Sequence, residues 1–347
     1  KAWFSQQCGY ARFAYNAALS DFKSGLDKDD WRSFIDLNNR FNQGKKAFEW
    51  TRDMDQRAAV YAIKNLSEGV KRWTDKLNRC PKYKKRGTRQ SYTTDEQSVK
   101  VDGKRIKLPK IGWVRMFQAL RFEGEMIRVT ISRTAHRWFV SITVDTGTPN
   151  HPRDTRGLPV IGVDVGINSL ATLDNGTHYE NPRPLKRFQR KLAREQRKLS
   201  RKVFLSENWY KQKRIVERLH YRISCIRLDT HHKATTEIVN NASAIGIETL
   251  KVTHLLRNRN LAKALSDSAL GGFLSKLKSK ADTLSIHIEE APQFFASSKT
   301  CSHCGNKKTD LTLSDRQYHC DSCGFTEARD VNAAINLKNL AVGQPES

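Results

Sequence analysis

The sequence predicts an α+β chain of several domains, on three observations. Apolar residues recur at three- and four-residue steps up to about residue 77, then alternate in steps of two between residues 99 and 144. Solid apolar runs at 161–167 and 244–250 each carry one acid, and two Cys-x2-Cys pairs lie near the end. The expected parts are a helical bundle lobe, a small antiparallel β-barrel, and a mixed sheet with an inserted zinc ribbon.

With 347 residues, 38% of them apolar, the chain can build two or three cores. Its 62 Lys and Arg against 36 Asp and Glu leave a formal charge of +26, which repels itself in a compact state unless a polyanion binds. Nucleic acid is the expected partner. An anionic membrane surface fits less well, because the basic helices lack a long exposed apolar face. No run is long and apolar enough to span a bilayer and no signal-peptide pattern opens the chain, so the expectation is a cytoplasmic, nucleoid-associated protein.

Taken in order, Tyr10, Phe13 and Ala17, then Phe34, Leu37 and Phe41, then Ala59, Ala62, Leu66, Val70, Trp73 and Leu77 form helical stripes. Lys64, Lys71, Arg72 and Lys76 fall on the wet side. Cys80-Pro81-Lys82-Tyr83-Lys84-Lys85-Arg86-Gly87 breaks the helix with a basic stretch suited to phosphate. After it, Val99 and Val101 face Ile106 and Leu108 across Asp102-Gly103. A longer hairpin sets Ile127, Val129 and Ile131 against Trp138, Val140, Ile142 and Val144 around Thr134-Ala135-His136. Several short antiparallel strands in some sixty residues suggest the barrel, and residues 146–158, rich in Pro, Gly and Asp, read as the linker out of it.

In Ile161-Gly162-Val163-Asp164-Val165-Gly166-Ile167 the one charge sits within an apolar strand, so Asp164 must be paired, protonated or bound to metal. The run continues to Asp174-Asn175-Gly176-Thr177, whose Asn-Gly pair suits a tight hairpin, and this is how an RNase H-like sheet opens. Ala244-Ile245-Gly246-Ile247-Glu248 is a second such strand, and Arg329-Asp330 starts a C-terminal helix. Three acids at element ends, able to meet if the strands are neighbours and the helix crosses their ends, form the pattern of a metal nuclease. Between them, residues 183–222 hold fifteen Lys or Arg against three acids. A stripe at Leu185, Phe188, Leu192, Leu199 and Val203 predicts a packed helix whose other face is a ridge of Arg187, Arg190, Lys191, Arg194 and Arg197. A second helix, striped by Ile215, Leu219, Ile223 and Ile226, leads back to the Glu248 strand. Residues 253–265, with Arg257, Asn258, Arg259 and Asn260, read as a loop beside the acids or as an ordinary surface loop. A helix over 272–284 and a last strand at 286–290 complete the sheet.

Cys301 and Cys304 are separated by fifteen residues from Cys320 and Cys323, which is zinc-ribbon spacing. One structural zinc is expected; two disulfides fit neither the spacing nor a reducing compartment. Cys8, Cys80 and Cys225 read as ordinary thiols, and His231-His232 as helix packing.

Gly162-Val163-Asp164-Val165-Gly166-Ile167, Ile247-Glu248-Thr249-Leu250, Arg257-Asn258-Arg259-Asn260 with Ser266-Asp267, Ser297-Ser298-Lys299-Thr300-Cys301-Ser302-His303-Cys304-Gly305, and Arg329-Asp330-Val331-Asn332-Ala333-Ala334-Ile335-Asn336 occur in this order. As a set they resemble the TnpB family, transposon-encoded RNA-guided DNA endonucleases with a split RuvC-like domain. The resemblance implies a recognition lobe at 1–80, a wedge domain at 81–150, RuvC-like parts at 155–298 and 326–347, and a ribbon at 299–325. It also implies a β-strand before Lys1. Asp164, Glu248 and Asp330 become the catalytic acids, holding two Mg2+ or Mn2+ ions, and Arg329 a contact to the scissile phosphate or a neighbour's salt-bridge partner. Guide RNA and target double-stranded DNA become the partners, with Lys64, Lys82, Lys84, Lys85, Arg86, Arg257 and Arg259 joining the ridge as contacts and a monomer as the assembly. A compact type V CRISPR effector, a nuclease-dead RNA-guided repressor and an unguided zinc-ribbon DNA-binding protein are the alternatives.

Overall fold

The computed structural model describes residues 2–86, 90–147, 153–293, 295–312 and 315–343. Gly87 of the basic stretch and residues 148–152 of the expected linker lie outside them. The chain divides into two compact units, Lys1–Thr148 and Pro149–Ser347. No helix of the described residues is long and apolar enough to cross a membrane.

In the first unit, α1 (Ala2–Leu26), α2 (Phe34–Gly44) and α3 (Gln56–Thr74) are followed by six strands. Ser33 starts α2 with a full capping box to Asp36, and Asp55 caps α3 by accepting from the Arg57 amide at 3.0 Å. The helix α3 stops at Thr74, so Leu77 ends exposed rather than in the stripe. Strands β1 (Gln90–Thr94), β2 (Lys100–Asp102), β3 (Arg105–Leu108), β4 (Gly112–Arg115), β5 (Glu125–Thr134) and β6 (Arg137–Asp145) all pair antiparallel. Both expected hairpins form, with Val101 opposite Ile106, Val129 opposite Ile142 and Ile131 opposite Val140. Ile127 is displaced by a bulge and half exposed.

The strands do not close into a barrel among the described residues. They form two three-stranded sheets, ordered β1-β5-β6 and β2-β3-β4. Closure needs matched strand lengths and a continuous register. Here β2, β3 and β4 are only three or four residues long and residues 116–124 are irregular, leaving a groove of about 1030 Å³ lined by Ile106, Leu108, Trp138 and Val140. Helices and strands of this unit share one apolar core running from Phe4 to Ile131.

The second unit is built on a five-stranded sheet. Its strands are β7 (Val160–Asp164), β8 (Ser169–Leu173), β9 (His178–Glu180), β10 (Ala244–Glu248) and β11 (His287–Ala291), in the order β11-β10-β7-β8-β9. The first three run antiparallel as a meander, while β10 and β11 join parallel on the far side of β7. Gly176, at φ +83°, turns the second hairpin as Asn-Gly predicted. Between β9 and β10 stand α4 (Pro184–Ser200) and the 34-residue α5 (Glu207–Asn240); α6 (Val252–Leu255), α7 (Arg259–Ser268) and α8 (Leu270–Thr283) precede β11. One sheet face packs Ile161, Val163, Ile245 and Ile247 against Ile238 of α5 and Phe273 and Leu277 of α8. After β12 (Gln317–His319) and β13 (Thr326–Ala328), α9 (Arg329–Val342) crosses β7, β10, β8 and β11.

Three local expectations change. The α4 stripe ends at Leu199, and Val203 lies in the turn after the helix, largely exposed. In α5 the buried seam runs through Val216, not Ile215. Residues 259–265 are helix, because the Asn258 side chain accepts from the Asn260 amide at 3.1 Å and caps α7.

Candidate acidic site and cysteine cluster

The parallel pairing of β7 and β10 puts Gly162 opposite Gly246 and Val163 opposite Ile247, so Asp164 and Glu248 follow side by side at the strand ends. Successive strand residues alternate faces, so both acids project from the face that carries Gly162 and Gly246. That face is the one α9 covers. A Cβ on Gly162 would stand 1.7 Å from the Ala334 carbonyl oxygen, and one on Gly246 would stand 1.9 Å from that of Leu337. The glycine pair therefore lets the helix backbone lie on the sheet itself. Asp174 fixes the helix sideways: its carboxylate accepts from the Gly162 amide at 3.1 Å and pairs with Lys338 Nζ at 2.8 Å.

Seated this way, α9 brings its first turn to the two strand ends. Asp330 is its second residue, where the helix N-terminus favours negative charge. Asp164 has its pKa raised well above the usual carboxylate range, chiefly by burial and then by the charges of Asp330 and Glu248, with Arg329 opposing. Burial raises Glu248 as well. Arg329 is largely buried and spans Asp330 Oδ1 at 3.2 Å and the Thr312 carbonyl at 3.4 Å. The salt bridge to a neighbour, one of its two expected roles, is thus present. Oxygen-only donors, two of which raise the pKa of the buried third, suit a hard divalent cation.

The cysteines form a tighter group. The sulfurs of Cys301, Cys304, Cys320 and Cys323 all lie within 4.8 Å of one another; among the described residues only this set gathers so closely. The Cys301–Cys323 and Cys304–Cys320 separations are 3.7 and 3.5 Å, close to the roughly 3.8 Å edge of a tetrahedron with ~2.3 Å zinc–sulfur bonds. The two knuckles repeat each other: Gly305 N–H donates to Cys301 O and Gly324 N–H to Cys320 O, both at 2.9 Å, with each glycine at positive φ. Backbone amides of Cys323 and Ser322 lower the Cys320 thiol to about 6. Buried Tyr318 fills the small ribbon core. Cys8, Cys80 and Cys225 stand apart as free thiols.

The chain is 32% identical, over 96% of its length, to the "Putative RNA-guided DNA endonuclease InsQ" of Escherichia coli (strain K12), covering 87% of that protein. It is 34% identical over 99% of its length to the "Putative RNA-guided DNA endonuclease" of Streptomyces pristinaespiralis, covering 86% of it. The chain belongs to the TnpB family. Residues 140–259 match the OrfB_IS605 family model, described as "Probable transposase", and 271–337 match the "Cas12f1-like, TNB domain". The "TnpB-like protein L79" of Acanthamoeba polyphaga mimivirus is 28% identical over 52% of the chain and 37% of its own length. In fold the chain is similar to the solved "Cas12f1-sgRNA-target DNA complex", with TM-score 0.56 and 15% identity over 97% of this chain and 82% of that one.

Within this TnpB-family chain the basic residues fall into separate settings. Arg187, Arg190, Lys191, Arg194 and Arg197 are all exposed on α4, whose other side packs Leu192 against Val216, Leu219 and Ile223. Buried Glu195 anchors the ridge from below, accepting from Gln212 Nε2 at 2.8 Å and pairing with Arg194 and Lys198. In the other unit Lys64, Lys82, Lys84, Lys85 and Arg86 are exposed, and the Lys84 ammonium sits 3.8 Å from the Tyr15 ring centroid. Arg257 and Arg259 are exposed at the start of α7.

Residues that stood in the quoted motifs without a role of their own hold these parts together. Asp267 of α7 accepts from the Leu185 and Lys186 amides at 2.8 and 2.9 Å, capping α4 from a distant element, and its carbonyl accepts from Arg227 Nε at 2.8 Å. Arg183, at the N-cap with φ +42°, offers no side-chain cap of its own. Asn332 and Asn336 of α9, both buried, bond to the backbone around Cys301, Asn332 on both sides of it and Asn336 before it. The sequence signals were present: Gly-x-Asp and Gly-x-Glu recur at one offset, and two asparagines stand four apart on a helix.

Proposed function

We propose that this chain is an RNA-guided DNA endonuclease, encoded by a transposon, that hydrolyses target DNA beside a short adjacent motif at Asp164, Glu248 and Asp330. The observation that carries the reading is the glycine-seated α9, which brings a third acid to two acids already adjacent on parallel strands. The family relatives of printed RNA-guided endonuclease name support it, and the strand order β11-β10-β7-β8-β9 is the RNase H-like arrangement of a RuvC-like domain. In domain terms, 1–80 is the recognition lobe, 81–150 the wedge, 155–298 with 326–347 the nuclease, and 299–325 a ribbon whose four cysteines hold one zinc.

Asp164, Glu248 and Asp330 would together hold two Mg2+ or Mn2+ ions, which would supply charge neutralisation and Lewis-acid activation for an in-line displacement. A water oxygen attacks phosphorus, the bond to the 3′ oxygen breaks, and the products carry a 5′-phosphate and a 3′-hydroxyl. Asp164 must give up its proton before the site is competent, and Arg329 helps by favouring its ionised form. The α4 ridge and the exposed lysines of the other unit hold guide RNA and the target duplex by their phosphates, which position the strands without reading sequence. Base pairing with the guide chooses the target. The chain acts as a monomer in the cytoplasm, associated with the nucleoid.

The test is to purify the chain free of RNA, offer it target DNA and Mg2+, and then return the RNA that co-purified. Cutting directed by the returned RNA is expected, with no cutting by Asp164→Ala, Glu248→Ala or Asp330→Ala despite normal target binding. Sequence-specific cutting without RNA, or full activity in any of the three variants, would overturn the reading. The Cas12f1-like match at 271–337 favours a compact CRISPR effector as the second reading, and flanking DNA separates the two.

A further inference from the structure

We infer that Asn332 and Asn336 are positioning residues that lock the cysteine ribbon to the first turns of α9, so that metal held by the cysteines governs where Asp330 stands. The inference rests on the acidic site proposed above, and extends it by giving the ribbon a part in placing a catalytic group.

Asn332 clasps the peptide on both sides of Cys301. Its Nδ2 donates to the Thr300 carbonyl at 2.8 Å and its Oδ1 accepts from the Ser302 amide at 3.0 Å. One turn further on, Asn336 Nδ2 donates to the Ser297 and Thr300 carbonyls at 2.8 and 2.7 Å. Asn332 is fully buried and Asn336 nearly so. A buried amide with its partners removed incurs the full desolvation penalty, so the clasp resists sliding. The ribbon also meets the helix end-on: β13 ends at Ala328, α9 begins at Arg329 without a linker, and the Arg329 amide donates to the Arg316 carbonyl at 2.9 Å. Asp330 and Asn332 are two residues apart, roughly 200° around the helix. One side of the same turn thus addresses the acids and the other addresses the knuckle of Cys301.

A scaffold that merely decorated the nuclease would need none of this. The Cys301 knuckle keeps its shape only while the four thiolates are gathered, since sites of this kind fold with their metal. When they are released, Thr300 and Ser302 move and the clasp on α9 goes with them, leaving the helix held by its packing on the sheet and by Lys338 but no longer fixed at its first turns.

The test is hydrogen exchange on the full chain, with zinc bound and after zinc is stripped by a chelator under reducing conditions, in the absence of Mg2+. Loss of zinc is expected to speed exchange in residues 333–337 by about 5- to 100-fold. Asn332→Ala is expected to show that fast exchange with zinc still bound at one per chain. In the guided complex, Asn332→Ala should raise the Mg2+ concentration needed for half-maximal cleavage while target binding stays unchanged; a loss of folded protein would instead lower the amplitude at every Mg2+ concentration. Asn336→Asp, which sets a carboxylate against two carbonyls, should be at least as damaging as Asn336→Ala. Exchange in 333–337 that ignores zinc removal, or Asn332→Ala with wild-type exchange, overturns the inference. A wild-type chain that never cuts removes the proposed function instead, and leaves the exchange result to stand by itself.

Discussion

Replacing Gly246 by alanine adds one methyl group, and the structure says where it goes. The new carbon would lie 1.9 Å from the Leu337 carbonyl oxygen and 2.6 Å from its carbon, both backbone atoms of α9. No side-chain rotation relieves that contact. Restoring even a tight 3.0 Å separation requires the helix to rise by at least about 1.1 Å. Gly246 does not have positive φ, so the effect is one of packing and not of backbone strain. Overpacking of this kind costs about 1–3 kcal/mol, which for a unit of this size lowers Tm by roughly 2–12 °C. Asp330 rides on the same helix, and a misplacement of about 1 Å can cost ~100-fold in rate. The expected result is a guided complex that binds target normally, melts a few degrees lower and cuts about 100-fold more slowly in single turnover. Gly162→Ala, 1.7 Å from Ala334 O, should behave alike. Gly272→Ala, within α8 and with nothing within 4 Å, is the control and should be neutral or slightly stabilising. Wild-type cutting by Gly246→Ala would refute the reasoning that this glycine seats the third acid.

Four further outcomes are expected. Metal analysis of the parent chain should find one zinc, which Cys301→Ser or Cys320→Ser should lose, and the loss should make the cysteine ribbon more sensitive to proteolysis. Arg187→Ala with Arg190→Ala and Arg194→Ala should weaken nucleic-acid binding equally across sequences and reduce the slope of log affinity against log salt by about 2–3. Asp267→Ala, by uncapping α4 and removing the 3.4 Å contact of Arg227 with the carboxylate while leaving the bond to the Asp267 carbonyl in place, should destabilise the second unit by about 1–2 kcal/mol, measured by denaturant titration. Asp164 is raised in the folded state, so its contribution to stability is full below the ordinary value near 3.8 and is lost as pH climbs through the folded value. Mg2+ should therefore raise Tm more at higher pH, and cleavage should increase with pH over the same range; a Mg2+ shift independent of pH would count against a metal-holding Asp164.

Much of the second unit was legible because its signals are local. An apolar run with one acid, an Asn-Gly turn and two Cys-x2-Cys pairs each declare themselves within a few residues, and β7, the Gly176 hairpin, β10 and the cysteine cluster follow. Boundaries failed where a single cap outweighed composition. Asn258 turned an expected loop into the start of α7, and α4 ended before Val203. The barrel failed for a different reason. Alternation reveals strands and nearest hairpins, but closure depends on how two sheets meet along their edges, and nothing in a period of two encodes that.

What stayed hidden in the site is long-range and polar. Asp267 lies about eighty residues from the helix it caps, and Lys338 is 164 residues from Asp174. Neither pairing has a period or spacing to betray it. The glycines are the intermediate case, since an unbranched position two residues before each acid is visible on the page while its reason is not. A glycine in a strand weakens it unless another backbone comes close. Two at the same register of adjacent strands mean that something lies across both, and the helix that does so starts with the third acid. Joined to the acid pattern, the strand register is the step that leads from three scattered carboxylates to one site.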